Sequence, residues 1–356
     1  MNNGEQTADP ELVSLMDSVF SDRYQARANH DIVPFDRELW DTLDSLGLTR
    51  LTGCEDAGGS GATWRESGAL LGIAAQYAAP LPLAEHDLLS NWLLGQAGLP
   101  LGANVTTACL LDETGVAFGV PWAAEAERIT VLWSTDGVWQ VVDLPASALA
   151  VEPGVNLAGH PRAQVRADIA SLRGQEVPEG TAEGLLLRGA LARSLQMCGA
   201  MERIVALCVR HTLEREQFGR HLARFQAIQH LVADVAAEAA LARASTEAAL
   251  TEALDSGFAS PGLALSIAVA RSCTGHAATV VVRNAHQVHG AIGTTLEHDL
   301  SKYTKAVLAW RSECGSVRFW DELLTDAALA AGRDGAWGLV TEGAVLEMTK
   351  PVSVDG

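Results

Sequence analysis

From about residue 9 to residue 100 the apolar positions recur at steps of three and four, as in ELVSLMDSVF, RELWDTLDSLG and TWRESGALLGIAAQYAA. That period gathers apolar side chains on one face of a helix. Helices are therefore predicted here, with turns at Gly-rich breaks such as CEDAGGSGA, residues 54 to 62. Between about 103 and 176 the period shortens. TTACLL, GVAFGV, RITVLW, WQVVDL and ALAVEP are short β-favouring runs bounded by turn residues, as in DETG and STDG, and they predict a small antiparallel β unit. After RGQEVPEGTAEG the helical period returns. Leu191, Leu195, Cys198, Met201, Val205, Cys208 and Thr212 step by three and four, as do Phe225, Ile228, Val232, Val235, Ala239 and Ala242. Two long amphipathic helices follow from this. A third is expected to open with Ser260 as cap and Pro261 at its first position and to stop near Gly290. A fourth is expected to begin near Asp299 and to carry Tyr303, Ala306, Val307 and Trp310 toward RSECGS. The predicted fold class is α+β: an N-terminal helical domain over 1–102, a truncated middle β domain over 103–176 and a C-terminal four-helix domain over 177–345.

Composition narrows the partners. A length of 356 residues with 48% hydrophobic content can fill a real core. The formal net charge of −19 argues against nonspecific nucleic-acid binding, which needs a basic face to displace counterions from phosphates. Small molecules or proteins are the expected partners. No run of apolar residues reaches the length of a membrane span, and the start MNNGEQTADPELVSLMDSVF lacks the basic and apolar segments of an export signal. No membrane span is expected, and the cytoplasm is the expected location. The six cysteines show no CxxC pairing, so neither a zinc knuckle nor a disulfide framework is indicated.

Two short stretches carry candidate chemistry. LEREQFGRHLARFQAIQHL, residues 213 to 231, places Arg215, Arg220 and Arg224 around a Phe-Gly pair between the first two helices of the bundle. Two readings are open for it. Arg215 and Gly219 suit an ordinary helix C-terminus, and the same residues suit a place that holds something anionic. HQVHGAIG, residues 286 to 293, puts Gln287 and two glycines at the end of the third helix, where bare backbone admits a flat or phosphorylated ligand. His286 and His289 are three apart, but no carboxylate or Cys completes a metal site with them, and no metal is expected.

Taken in order, REQFGRHLARFQAIQHLVADVA, QVHGAIG and YTKAVLAWRSECGS resemble the C-terminal motifs of the acyl-CoA dehydrogenases, R-x-x-F-G, Q-x-x-G-G-x-G and Y-R-D-A-x-x-x-x-x-x-E-G-T. CEDAGGSGAT resembles the family's P-E-x-x-G-G-x-G turn, and the helix–strand–helix order agrees. The resemblance implies FAD shared between subunits, with Arg215 at its pyrophosphate, Gln217 and Phe218 beside it, Gln226 near the adenosine ribose, and Gln287, Gly290 and Gly293 at the adenine end. It also implies an acyl-CoA substrate, an electron-transfer flavoprotein or similar acceptor, and Glu313 at the position of the catalytic carboxylate in the commonest branch. A base there removes the proton α to a thioester carbonyl while a hydride leaves the β carbon.

The departures lie on one side of the flavin. T-E-P-x-x-G-S-D is absent from the β segment, where GVPWAAEAERITVL stands instead. Ala291 replaces the second Gly of the Gly-rich turn, and E-G-T reads Glu313-Cys314-Gly315-Ser316. A second branch keeps its base on the helix before R-x-x-F-G, but this chain has Arg188 and Gly189 there, with no carboxylate. Such a division resembles the shorter subunit of the α2β2 members known from bacterial steroid side-chain degradation, whose longer paralogue brings the base. A self-sufficient homo-oligomer using Glu313 and a flavin-free structural subunit are the alternatives.

Overall fold

The computed structural model describes residues 7–24 and 32–346. Its helices are α1 (Pro10–Tyr24), α2 (Arg37–Ser45), α3 (Trp64–Gln76), α4 (Asn91–Gln96), α5 (Thr181–Glu214), α6 (Gln226–Ser256), α7 (Leu263–His289), α8 (Leu300–Trp310) and α9 (Val317–Glu342). The strands are β1 (Thr106–Leu110), β2 (Val116–Pro121), β3 (Arg128–Thr135), β4 (Val138–Pro145), β5 (Ala150–Glu152), β6 (Arg162–Arg166), β7 (Gln175–Glu176), β8 (Glu216–Gln217) and β9 (Arg220–His221). The fold is α+β, in the expected order. Two compact units result. One contains α1, Ala69–Ala79 and the chain from Arg193 through α9; the other contains the segment from α2 to Gly68 together with Pro80–Ala192.

In the second unit the strands form two sheets, ordered β1-β3-β4-β7 and β2-β6-β5. The antiparallel expectation needs correction, because β1 runs parallel to β3, pairing Thr106 with Arg128 through Leu110 with Leu132. The chain leaves β1, forms β2 in the other sheet and returns to enter β3 in the original direction, which a hairpin would have reversed. Central strand β3 is buried on both faces. Ile129, Val131 and Trp133 join Cys109, Val120 and Val165 in one core, while Leu132 packs with Leu93, Ala108 and Val141 in another.

Polar groups are buried in the π-helical turn Ala84–Ser90 that leads into α4. His86 Nδ1 lies 2.9 Å from Thr106 Oγ1, and Ser90 Oγ lies 2.7 Å from Thr130 Oγ1. Asp87 accepts from Thr52 Oγ1 at 2.9 Å and from Ser67 Oγ at 3.0 Å. Burial drives the two neighbours in opposite directions: His86 is pushed down to about 4, and Asp87 up to about 6 against the pull of its hydroxyl donors.

The helical unit is packed through small residues. Ala239, Ala242, Ala249 and Ala253 of α6 and Ala268, Ala277, Ala278 and Ala285 of α7 are buried, which lets helices lie close. Gly199 of α5 meets Gly72 of α3 so closely that a Cβ at position 199 would stand 2.1 Å from the Gly72 carbonyl oxygen. Leu263–Thr294 is long and apolar enough to pass for a membrane span, with a mean hydropathy of 1.3, and 56% of that window is buried inside the protein. α7 begins two residues later than Pro261, with Gly262 at its N-cap. α9 adds a helix beyond the expected four, opened by the Ser316 hydroxyl accepting the Phe319 N–H and interrupted at Gly332, where φ is 67°. The six cysteines are free thiols, of which Cys109, Cys198 and Cys208 are buried.

Two predictions follow from this packing. Gly199→Ala forces backbone apart and is expected to cost about 1–3 kcal/mol in urea melts, whereas Gly95→Ala, where a Cβ meets nothing within 4 Å, is neutral or stabilising. The second concerns pH. His86, depressed in the fold, loses stability as pH falls from 6.5 toward 4, while Asp87, raised in the fold, gains over a similar window as pH falls from 6 toward 3.8. The two slopes oppose each other. Asp87→Asn removes the opposing slope, so stability should fall more steeply than in the parent between pH 6 and 4, by up to ~1.4 kcal/mol per pH unit.

Candidate functional site

α5 ends at Glu214, and the Arg215 N–H donates to the His211 carbonyl at 2.9 Å. The chain then turns sharply. β8 and β9 pair antiparallel, Glu216 with His221 and Gln217 with Arg220, leaving Phe218 and Gly219 as a two-residue loop with φ of 54° and 76°. Two successive positive φ values belong to the tight hairpin turn whose twist matches its strands. Gly219 adopts that conformation freely, but Phe218 does so against its Cβ. Gly219 therefore serves a hairpin and does not terminate a helix. Strain of this kind persists only where surrounding structure enforces it, and it concentrates at functional positions.

What the hairpin holds is outward-facing. Every residue from 213 to 221 is exposed, and Phe218 is 89% exposed. Its ring meets Phe225 edge-on at 6.1 Å, and the Arg220 guanidinium covers the Phe225 ring at 4.1 Å. Among the described residues no carboxylate pairs with Arg215. Gln226 stands exposed at the first position of α6, whose N-cap Phe225 supplies no side-chain bond.

The second motif closes α7. Gln287 is exposed, and Gly290 follows the last helical residue with φ 65° and ψ −152° and no atom near where a Cβ would be. Gly293 has a different reason to be glycine: a Cβ there would meet His289 and Leu300 within 2.9 Å, so packing requires it. Three residues outside the predicted set join the two motifs. His211, in the last turn of α5, stacks on His289, the last residue of α7, with ring centroids 4.4 Å apart, and His298 meets His289 edge-on at 4.9 Å. Burial pushes His289 down to about 4 and lowers His211 and His298 as well. His289 was considered in the sequence only beside His286.

Glu313 lies in a different setting. Arg193, 4% exposed, donates from Nε to the Glu313 carboxylate at 2.7 Å and from Nη1 to Gln196 Oε1 at 2.6 Å. Beneath the turn carrying Glu313 lies buried Arg271, whose Nη2 donates to the carbonyls of Trp310, Arg311, Glu313 and Gly315 at 3.2, 3.1, 2.8 and 3.3 Å. Trp310 thus contributes its carbonyl to this turn as well as a buried indole. The turn passes through Cys314 and Gly315 with φ of 53° and 89°. At the other candidate position for a base, the Arg188 guanidinium lies over Trp92 at 4.4 Å and near Trp64 at 5.8 Å. Burial lowers Arg188 to about 10, so it stays a cation at neutral pH.

Comparison with known proteins agrees with these motifs. The family model for the acyl-CoA dehydrogenase C-terminal domain matches residues 180–316. The acyl-CoA dehydrogenase IpdE2 of Mycolicibacterium smegmatis is 28% identical over 283 residues, 76% of this chain and 81% of that protein. Among solved structures, a chain of the ChsE4-ChsE5 complex from Mycobacterium tuberculosis matches with a TM-score of 0.81 at 21% identity, over 92% of this chain and all of that one. The Tcur3481-Tcur3483 steroid ACAD matches with a TM-score of 0.78 at 21% identity, over 91% of this chain and 98% of that one. The helical segment 180–316 thus matches the acyl-CoA dehydrogenase C-terminal domain, and the chain as a whole shares the fold of these solved structures.

The buried pair generates a stability prediction. Arg193→Met leaves the Glu313 carboxylate without its buried partner and is expected to cost about 3–5 kcal/mol in urea unfolding. The double variant Arg193→Met/Glu313→Gln should recover most of that loss.

Proposed function

We propose that this chain is the shorter subunit of a heteromeric acyl-CoA dehydrogenase that desaturates a steroid-derived CoA thioester, contributing half of an FAD site to a longer paralogue. The observation that carries this reading is the strained hairpin, which presents Arg215, Gln217 and Phe218 to the outside with Phe218 89% exposed. A backbone held so tightly, with side chains so little engaged by their own chain, suits contacts completed by another chain.

The residues fit the pyrophosphate and adenine end of the cofactor. Arg215 supplies a planar, permanently charged group for a diphosphate. Gly290, with open space at its missing Cβ, leaves bare backbone next to the exposed Gln287. Gln226 at the start of α6 adds an amide. Gly293 acts from behind, keeping His289 and Leu300 packed beneath this surface. When bound, FAD takes up the two electrons released as the Cα–Cβ bond becomes double.

Glu313 is an unsuitable base in this chain. A charge-assisted bond from a nearly fully buried guanidinium holds its carboxylate, and taking up a substrate proton would leave Arg193 buried beside a neutral acid. The second candidate position holds a cation, Arg188. We therefore assign the base to the longer subunit. Two-chain assemblies among the structural relatives, ChsE4-ChsE5 and Tcur3481-Tcur3483, support the heteromeric part of the reading, and the second, a steroid ACAD, supports the substrate class. Electrons then pass to an electron-transfer flavoprotein or a similar acceptor.

Co-expression with the longer paralogue tests it. The complex should be yellow and should reduce a dye with a steroid side-chain acyl-CoA. In it Arg215→Ala should weaken flavin retention by roughly 10- to 100-fold, the value of one charged hydrogen-bond donor, while Glu313→Gln should lower turnover only modestly. Unchanged flavin content in the Arg215 variant would favour a flavin-free structural subunit. A yellow, active protein from this chain alone would mean a self-sufficient enzyme.

A further inference from the structure

The histidine cluster joining α5 and α7 lies outside the residues assigned above to flavin and substrate. We propose that His211, His289 and His298 form a binding site for a divalent transition-metal ion, zinc being the best fit. One ligand nitrogen from each ring lies within 4.8 Å of the others. A tetrahedral zinc with imidazole ligands needs them roughly 3.4 Å apart, from Zn–N distances of about 2.0–2.1 Å, so side-chain rotations close the site without moving helices. Three imidazoles leave the fourth position to water.

His289 carries the strongest signal. It is 5% exposed, and its Nδ1 lies 2.9 Å from the Ala285 carbonyl oxygen. That contact sets Nδ1 as the protonated nitrogen, so Nε2 holds a lone pair. Nε2 is buried with no hydrogen-bond partner, a costly state for a polar atom. A backbone carbonyl fixing one ring nitrogen while the other faces the ion is the usual outer-shell arrangement of metal-bound histidine.

The surroundings tolerate a cation. His211 and His289 lie in the last turns of α5 and α7, the negative ends of two helix dipoles. Arg215 and Arg210 act on His211 and His298 in one sense, and Glu214 and Asp299 in the other; His286 is a further neighbour of His289. His298 is the adaptable member. It precedes α8, and its Nδ1 accepts the Leu300 N–H at 3.1 Å. Turning the ring to offer that nitrogen gives up one neutral hydrogen bond for a metal–nitrogen bond.

The test needs no flavin, so it is independent of the proposed dehydrogenase role. The full chain, free of any histidine tag and stripped with chelator, is titrated with zinc chloride by calorimetry and with cobalt chloride by absorption. We expect one ion per chain and a tetrahedral cobalt spectrum. His289→Ala and His211→Ala should each weaken zinc binding at least ~100-fold, more than loss of an outer-shell partner does, and His286→Ala should leave it nearly unchanged. His298→Ala, in a half-buried loop position, serves if the buried variants fail to fold, and it too should weaken binding. Absence of stoichiometric zinc binding by the parent chain, or equal binding by the parent and the His298 variant, would overturn the proposal.

Discussion

The stack of His211 on His289 is the contact on which the candidate site depends. It ties the last turn of α5 to the last turn of α7 at a centroid distance of 4.4 Å, and each helix there gives way to a motif that needs a fixed starting point. From α5 the chain enters the hairpin five residues after His211; from α7 it enters the Gly290 turn at the residue after His289. Rotation or withdrawal of either helix would break this stack. On its other side α7 packs along α6 through small buried residues, which leaves little freedom along their length. Precise placement of exposed side chains here begins with small buried ones.

Arginine does two unlike jobs in the helical unit. Arg215 is exposed and offers its charge outward. Arg193 and Arg271 are buried and spend their donors on the chain itself, one on Glu313 and Gln196, the other on the carbonyls of a turn that bends through left-handed Cys314 and Gly315. Within that turn the Trp310 carbonyl accepts the Glu313 N–H at 3.1 Å, and Arg271 Nη2 reaches the carbonyls around it. Arg271 falls to about 10 through burial and so keeps its charge at neutral pH. The same construction that orders the turn immobilises Glu313. The carboxylate ten residues beyond Tyr303 is thus held in an ion pair with a buried arginine.

Much of this was legible in the sequence, for reasons that vary by element. α5 to α8 followed from the spacing of residues such as Leu195, Cys198 and Met201, because an amphipathic period repeated over many turns leaves few alternatives. β1 to β5 were legible as strands, but pairing direction was not: alternation reports which face is buried and carries nothing about the partner, so the parallel pairing of β1 with β3 escaped. β6 alternates cleanly over Arg162 to Arg166 yet is short and flanked by charge. α9 contains Gly332 with φ 67°, a break that obscures its period. At the site, Arg215 and Gln287 stood out through motif resemblance. The Arg193–Glu313 pair and the stack of His211 on His289 could not, since each joins residues many positions apart in the chain, and His298 sits in a loop with no local pattern to mark it.

A site built this way constrains how the activity could have been divided between chains. Keeping an outward guanidinium on a strained loop has no evident benefit to an isolated chain: Phe218 pays a backbone penalty and its ring gains little burial in return. Under the proposed function, a partner chain and its flavin supply the contacts that this loop does not find within its own chain. The base position shows the converse, because a carboxylate locked to a buried arginine adds stability and rigidity to this chain alone. Under the proposed function, the inward ion pair serves this chain's own structure while the outward hairpin serves a partner. An assembly in which a second chain brings the mobile carboxylate and covers the hairpin accounts for both conditions with a single interface.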